Sequence, residues 1–405
     1  MEAANINLRH LRAFCEVAHH KSISAASGVV FLSQPAITQA LAKLEKNLEV
    51  SLFERRSEGM YITEPGALFL NRAERALNNI QQGTRLAVKG SGKGNNGTTW
   101  QFDKLLTIVQ LRALLAISKA RNFSLAARNI NVSQPTLYRT ARELERLSGM
   151  ELYKKVAQGI ELTSAAKILA QYAALAFYEL NQGLEEIRVW RGLDAGKIVI
   201  GTMPLARTYI LPKAINELSR LQPDVMVNVI DGPYEDLLDR LRHGQIDVLM
   251  GALRDPAPVD DVVQEELLSD PLIIVGRTGH PLANKNKVSV NDLAKFPWVA
   301  PRSGAPTRTH FENVFKAENA AVPTRLVESS SLILILGLLL NSDRLTMISE
   351  HQVMNERAAG RLTKLAFEMA ETARPIGMTI RKDWQPTATQ STLLNLLRQA
   401  SKSAI

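Results

Sequence analysis

The sequence predicts a multidomain chain in which two tandem α-rich winged helix-turn-helix domains precede an α/β domain. Three observations carry this expectation. First, the same text occurs twice in the 405 residues, displaced by one hundred positions with no gap. Leu11-Arg12-Ala13 recurs as Leu111-Arg112-Ala113, Ser33-Gln34-Pro35 as Ser133-Gln134-Pro135, and Leu44-Glu45 as Leu144-Glu145. Leu52, Gly59 and Thr63 likewise recur as Leu152, Gly159 and Thr163, and self-similarity at a fixed period marks a duplicated folding unit. Second, the formal charge of +9 is unevenly divided: residues 1–195 hold 25 Lys and Arg against 17 Asp and Glu, whereas the remainder holds 24 against 23. An excess of cations on the repeated half suits contact with phosphate. Third, from Gly196 onward the pattern changes to alternating strands and helices, the signature of an α/β domain.

In the first copy, Leu8, Leu11, Phe14, Cys15 and Ala18 recur at three- and four-residue spacing and predict a helix. A short helix follows over about Ser24–Val30. Ser33 is placed to cap a third helix, and Pro35 is tolerated in its first turn because the missing N–H has no intrahelical partner there. That helix runs through Ile37, Leu41, Leu44 and Leu48, an apolar stripe for the back face. Residues 52–63 read as two short strands around a Gly-containing turn, a wing. A long helix over about Glu64–Val88 has more apolar surface than one small domain needs, so it is expected to pack on a second subunit. The second copy predicts helices near Phe102–Lys119, Ser124–Ile130 and Gln134–Leu147, a wing at 152–163 and a long helix to about Arg191. Between the copies, Lys89–Thr99 (KGSGKGNNGTT) reads as a flexible linker. Its formal G-x-G-x-x-G match at Gly92, Gly94 and Gly97 has no preceding strand and no following helix, so it predicts no dinucleotide site. The expected domains are 1–90, a linker at 91–101, 102–192 and 196–405.

In the last domain, strands are expected at Ile198–Ile200, Val225–Ile230 and Ile246–Met250. Helical stripes fall at Leu211, Ile215, Leu218, Leu221 and at Leu237, Leu238, Leu241. The alternation predicts a parallel sheet with crossover helices. The apolar run Leu332–Leu340 is too short to span a bilayer and reads as a buried helix.

A helix that opens with Ser, Gln, Thr and Gln, set against a preceding short helix, can place side-chain amides at base edges in the major groove. In copy one Ser33, Gln34, Pro35, Thr38 and Gln39 form this front, with Lys43, Arg55 and Arg56 placed for phosphates. In copy two the corresponding set is Ser133, Gln134, Pro135, Tyr138, Arg139 and Arg142, with Lys154 and Lys155 on the wing. Polar residues on a helix front are also what any solvated face shows, so the duplicated pattern supports the module more than any one residue.

These blocks resemble the winged helix-turn-helix of LysR-type transcriptional regulators, in residues 8–66 and again in residues 108–166. The later half is similar to the same family's effector domain at Gly244-Gln245-Ile246-Asp247, Gly279-His280-Pro281-Leu282-Ala283 and Phe296-Pro297-Trp298. Asp231-Gly232-Pro233-Tyr234 and Arg374-Pro375-Ile376-Gly377 are most similar to the branch that controls sugar and aromatic-acid catabolism. The resemblance implies a periplasmic-binding-protein-like fold of two lobes, about 196–268 with 375–400 and about 269–366. It implies duplex DNA, a small-molecule effector, further copies of the chain as homodimer or homotetramer, and RNA polymerase as partners, in the cytoplasm.

In such a fold a small molecule sits at strand ends and helix N-termini, where free amides favour anions. Thr202-Met203-Pro204, Arg302-Ser303-Gly304 and Ser329-Ser330-Ser331 fit that description, and Gly251 and Arg207 are assigned to the same effector set. Serines there also serve as plain helix caps. Two departures from the family pattern stand out: Glu58 and Gln158 replace a usual wing arginine, and the usual glycine after the wing is Gly66 in copy one but Ala166 in copy two. One domain of this kind per chain is usual in the family, so one copy has room to take a dimerisation role.

Composition argues against other classes. Hydrophobic residues make up 45% and charged residues 22%, as in ordinary soluble proteins. The one cysteine, Cys15, fits a reducing compartment, and the N-terminal residues show no signal-peptide pattern. Seven histidines make no H-x-x-x-H or Cys/His set, so no metal or cofactor is expected. No nucleophile elbow or P-loop is present, and His280, before a proline, reads as structural. The reading from another class is a small-molecule sensor acting through protein contacts, with the repeated domains as oligomerisation modules.

Overall fold

The computed structural model describes residues 6–91, 99–157, 159–193, 196–303, 306–369 and 372–402. Most of the expected linker, including Gly92, Gly94 and Gly97, lies outside the described residues, as do Gln158 and Gly304. Two compact units result: residues 1–197 with 242–245, and residues 198–241 with 246–405.

The first unit begins with α1 (Leu8–His20), α2 (Ile23–Val30) and α3 (Gln34–Leu48). Each starts where a side chain can accept an otherwise unpaired amide: Asn7, Ser22 and Ser33 are the three caps. Strands β1 (Phe53–Arg56) and β2 (Gly59–Ile62) pair antiparallel as the wing, and α4 (Glu64–Gly90) follows, capped by Thr63. The same string then recurs as α5 (Ile108–Ala120), α6 (Phe123–Asn129), α7 (Gln134–Ser148), β3 (Tyr153–Val156), β4 (Gly159–Leu162) and α8 (Ser164–Trp190). Even backbone exceptions recur, since Lys21 and Arg121, Phe31 and Asn131, and Glu49 and Gly149 all take positive φ.

The helix expected from Phe102 is interrupted. A 3-10 turn covers Thr99–Leu105, and Thr107 then closes a capping box with Gln110 that restarts the chain as α5. Each wing turn is tied to the end of the first helix of its copy. Met60 N–H donates to Lys21 O at 2.9 Å and Ile160 N–H to Arg121 O at 3.0 Å. Gly59 and Gly159 allow that approach, because a Cβ on either would stand 2.5 or 2.6 Å from the same carbonyl oxygen.

The long helix α4 departs from expectation in its partner. Its surplus apolar face is covered by α8 of the same chain rather than by a second subunit: Phe69, Ala73, Ala76 and Ile80 join Leu169, Ala173, Ala176 and Leu180 in one core. Arg72, only 2% exposed, donates to Glu179 at 2.9 Å and to Glu186 at 2.6 Å across the contact. Arg75 reaches Glu179 at 3.0 Å.

The second unit contains β5 (Lys197–Thr202), α9 (Ile210–Leu221), β6 (Met226–Asp231), α10 (Tyr234–Arg242), β7 (Val248–Ala252) and β8 (Val262–Asp270). It continues through β9 (Leu272–Arg277), α11 (Val290–Leu293), β10 (Trp298–Ala300), α12 (Pro306–Ala317), β11 (Leu326–Glu328), α13 (Leu332–Leu340), β12 (Leu345–Ser349), α14 (Met354–Ala358) and β13 (Leu362–Lys364). Strand β14 (Arg374–Arg381) and α15 (Ala388–Lys402) close it. Two five-stranded sheets form, in the orders β6-β5-β7-β14-β8 and β11-β10-β12-β9-β13.

The expectation of a parallel sheet holds for the first and last of the three strands it was drawn from and is corrected for the strands that complete the two sheets. β5 and β7 are parallel, as are β10 with β11 and β12, but β14 runs antiparallel to β7 and β8, and β9 antiparallel to β12 and β13. The chain leaves one sheet for the other at Pro271, between β8 and β9, and returns to it with β14. A strand that arrives from the other sheet need not follow the crossover geometry that makes neighbours parallel. The apolar helix α13 is also corrected from buried to half-covered. Only Ile335 and Leu339 are buried, Ile333 is 85% exposed and Leu334 and Leu340 are exposed.

Candidate nucleic-acid interface and effector site

The recognition face starts at two helix N-termini. Ser33 Oγ accepts from Ala36 N–H at 3.4 Å and Ser133 Oγ from Thr136 N–H at 3.3 Å, and Pro35 and Pro135 lie in the first turns. Ile37, Leu41, Leu44 and Leu48 bury one side of α3, which leaves Gln34, Gln39 and Lys43 exposed on the other and Thr38 half-buried. In α7 the burial of Leu137, Ala141 and Leu144 leaves Gln134, Tyr138, Arg139 and Arg142 outside.

Each glutamine is held by the preceding helix. Gln34 Nε2 donates to Ser24 Oγ at 3.2 Å, and Ser124 Oγ donates to Gln134 Oε1 at 2.7 Å. Sequence reasoning missed Ser24 and Ser124 as partners, although their shared spacing of ten residues from the glutamines was available as a signal. Thr38 is partly spoken for, since its hydroxyl donates to Gln34 O at 3.0 Å.

A carboxylate ties each recognition helix to its wing. Glu45 Oε1 accepts from Leu52 and Phe53 N–H at 2.8 and 3.3 Å, and Glu145 Oε1 accepts from Leu152 and Tyr153 N–H at 2.8 and 3.2 Å. The pair Glu45 and Glu145 belonged to the repeat, but only the fold shows that it fixes the wing against the helix.

Charge differs between the copies. Arg56 pairs with Glu54 at 2.7 Å and lies 4.8 Å from the Tyr61 ring, Tyr61 reaches Glu58, and Arg55 is exposed. The second wing holds Lys154 and Lys155 exposed, with Glu161 opposite Lys154 in the register. Arg142 bonds Glu145 at 2.5 Å and stacks 5.0 Å from the Tyr138 ring; hydrogen bonds to Tyr138 and Glu145 raise its pKa. Gln134, Tyr138, Arg142, Lys154 and Lys155 share a groove of about 360 Å³ between helix and wing.

In the second unit the predicted effector residues gather at two strand edges. Thr202 ends β5 fully buried, Met203 N–H donates to Met250 O at 2.9 Å, and Gly251 leaves room for the Met203 side chain, whose Sδ would stand 2.6 Å from a Cβ there. At the other sheet, Arg302 and Ser303 follow β10 and are exposed, next to Ser329 and Ser330 after the parallel β11. Ser329 N–H donates to Ala300 O at 3.0 Å, and Ser329 Oγ accepts from Ser331 N–H at 3.1 Å. Arg207 is engaged by Asp231 at 3.0 Å.

Arg374, quoted for its motif but not as a site residue, sits at the start of β14. Its Nη1 donates to Thr307 Oγ1 of α12 at 3.1 Å, and its Nε is buried without a partner among the described residues. Burial lowers its pKa, with Asp270 acting in the opposite sense. Asp270, 1% exposed, accepts from Ser349 Oγ and pairs with His351 Nδ1 at 2.8 Å where the chain passes between the sheets. No side chain in the sequence signals these long-range partners.

His280 is structural, as expected. Nδ1 accepts from Leu282 N–H at 3.1 Å and Nε2 donates to Asp343 O at 3.3 Å, with Phe296 4.5 Å away between ring centres. Cys15 is buried, and burial pushes its thiol pKa up. Among the described residues no His, Cys, Asp and Glu group could hold a metal ion, and no helix is long and apolar enough to cross a membrane.

Two exposed recognition helices with wings, on a chain that ends in two mixed sheets, define a DNA-binding regulator with a small-molecule domain. The chain belongs to the LysR family: residues 8–67 and 108–167 match the bacterial regulatory helix-turn-helix protein of the lysR family, and residues 191–402 match the LysR substrate binding domain. It is similar to the HTH-type transcriptional regulator GalR of Pseudomonas putida, 32% identical over 97% of both chains. The HTH-type transcriptional regulator PcaQ of Agrobacterium fabrum is 27% identical over 74% of this chain and 96% of its own. Among solved structures, a full-length OxyR variant from Pseudomonas aeruginosa shares the fold, with 21% identity, a TM-score of 0.51, and coverage of 73% of this chain and 95% of that one. The protein is thus a transcriptional regulator of LysR type with a small-molecule-binding domain.

Proposed function

We propose that both winged helices contact duplex DNA directly, through Gln34 and Gln39 with Lys43, Arg55 and Arg56 in copy one, and through Gln134, Tyr138, Arg139 and Arg142 with Lys154 and Lys155 in copy two. The observation that carries this reading is the paired clamp: in each copy a serine of the preceding helix holds an exposed glutamine at the first turn of the recognition helix. An amide fixed there is preorganised for bidentate contact with adenine. Ser33, Pro35, Thr38, Ser133 and Pro135 shape that turn.

The expected division into 1–90, 102–192 and 196–405 goes with this reading. In the last domain, the reading is of a periplasmic-binding-protein-like arrangement that would hold an anionic effector of sugar or aromatic catabolism between the edge with Thr202, Met203 and Gly251 and the edge with Arg302, Ser303, Ser329 and Ser330. Arg374 supports it, because its Nη1 reaches Thr307, four residues beyond Ser303, and its buried Nε is a donor without a partner among the described residues. Arg207 serves a secondary role, given its pairing with Asp231. Homo-oligomers, RNA polymerase as a partner, and a cytoplasmic site complete the proposal.

Footprinting on the DNA around its own gene, with Gln34→Ala, Gln134→Ala and the double variant, tests the DNA reading. Each single variant should lose about 1–3 kcal/mol of base discrimination, and unchanged binding in all three would favour oligomerisation modules instead. For the effector, thermal-shift measurements with sugar acids and aromatic carboxylates should give a stabilisation that Arg374→Ala removes. A stabilisation untouched by Arg374→Ala sinks that assignment.

A further inference from the structure

The α4–α8 contact is built from unlike halves. Positions 72 and 172 are repeat mates, as are 83 and 183. A Cβ on Gly83 would meet Tyr172 Cβ at 2.5 Å, and a Cβ on Gly183 would meet Arg72 Cβ at 3.0 Å. The early part of each helix therefore faces the late part of the other, an antiparallel pair with a pseudo-twofold axis. The charges break that symmetry. Arg72 and Arg75 are on α4, and their partners Glu179 and Glu186 are on α8.

Like pairing by the same geometry fails in both directions. Two copies of α4 would set Arg72 against Asn79 and Leu86, the mates of Glu179 and Glu186, and bury a cation without a carboxylate. Two copies of α8 would set Glu179 and Glu186 against Tyr172 and Leu175, the mates of Arg72 and Arg75. Uncompensated buried charge is strongly unfavourable, and a clash against the wrong partner is how pairing specificity is enforced. The surfaces that the pair carries differ as well. Thr38, Gln39, Ala42 and Lys43 of α3 correspond to Tyr138, Arg139, Arg142 and Glu143 of α7.

We propose that the α4–α8 pair, locked as a hetero-pair by Arg72 between Glu179 and Glu186, makes this chain a reader of duplex DNA with two unlike half-sites, one for α3 and one for α7. Paired heads that are identical mirror their two-fold axis in a palindromic target. Here the paired heads are different, and the target loses that constraint. The proposal rests on the DNA-binding reading above.

The test is selection of duplexes from a random library by the full-length chain at low salt, followed by titration of the selected duplex. The enriched sequence should contain two unlike half-sites, with Gln34→Ala relaxing preference in one half and Gln134→Ala in the other. Inverted repeats of either half should bind at least ~10-fold more weakly than the unlike pair. A palindromic winner overturns the proposal, and so does an inverted repeat of one half that binds as well as the selected duplex. Enrichment of nothing by a folded chain overturns the DNA reading itself, an outcome distinct from a palindrome. The lock is tested by Arg72→Glu, which should weaken binding of the selected duplex at least ~10-fold. The sign exchange Arg72→Glu/Arg75→Glu/Glu179→Arg/Glu186→Arg should restore most of it. A folded exchange variant that stays as weak as Arg72→Glu refutes the lock.

Discussion

Burial of single polar residues sets how this protein responds to its surroundings. His280 is 2% exposed, and its lowered pKa comes first from that burial. The unfolded chain takes up a proton there near the ordinary value of 6.5, whereas the folded ring stays neutral to lower pH. Its contribution is complete above pH 6.5 and lost as pH falls toward the folded value. Melting curves between about pH 7.5 and 5.5 should therefore show a decline that is smaller in His280→Gln; equal declines would contradict this account. The neutral ring was legible in part, since Gly279-His280-Pro281 predicts a turn. The neighbours that bury it, Phe296 and Asp343, come from distant sequence.

Among the elements, α4 and α8 carry the heaviest electrostatic commitment. Burial alone would lower the Arg72 pKa, but the bonds and charges of Glu186 and Glu179 raise it above the ordinary value. Arg72→Met would leave Glu179, nearly buried, without its closest cation. A destabilisation of about 3–5 kcal/mol follows, measurable as a lower denaturant midpoint in the first unit; a loss under about 1 kcal/mol would show that Arg75 suffices. Helical periodicity predicted the length of both helices and the excess of apolar surface on α4. It could not say which helix covers that surface, because the same stripe fits a partner chain or a second copy within one chain. Element α13 teaches the converse. Nine consecutive apolar residues read as a buried helix, yet only Ile335 and Leu339 are buried, with Leu332, Leu336 and Leu338 partly buried against the same core. A run without polar residues has no face in the sequence, so only packing decides which side is covered.

For the whole molecule, charge distribution predicts how DNA affinity varies with salt. Copy one presents a recognition front with few charges and a wing on which Glu54 pairs with Arg56, whereas copy two presents Arg139, Lys154 and Lys155 exposed. Copy two should then carry more of the salt-dependent affinity and copy one more of the amide-based selectivity. Neutralising Arg139, Lys154 and Lys155 together should lower the slope of log K against log [salt] by about 3. Neutralising Arg55 and Arg56 should lower it by about 1, since Glu54 already engages Arg56. Equal losses measured over a salt series would show that the two copies share the phosphate load.

By itself, the sequence determined the repeated reading heads, their caps, their wings and the alternation of the later half. All of these rest on contacts within a few residues, where spacing, capping side chains and glycine positions act directly. Tertiary structure decided the pairing of α4 with α8, the mixed direction of both sheets, and the gathering of Arg374, Asp270 and His351. Those depend on segments about a hundred residues apart in the chain, and local chemistry leaves their partners open until burial and charge compensation select one arrangement.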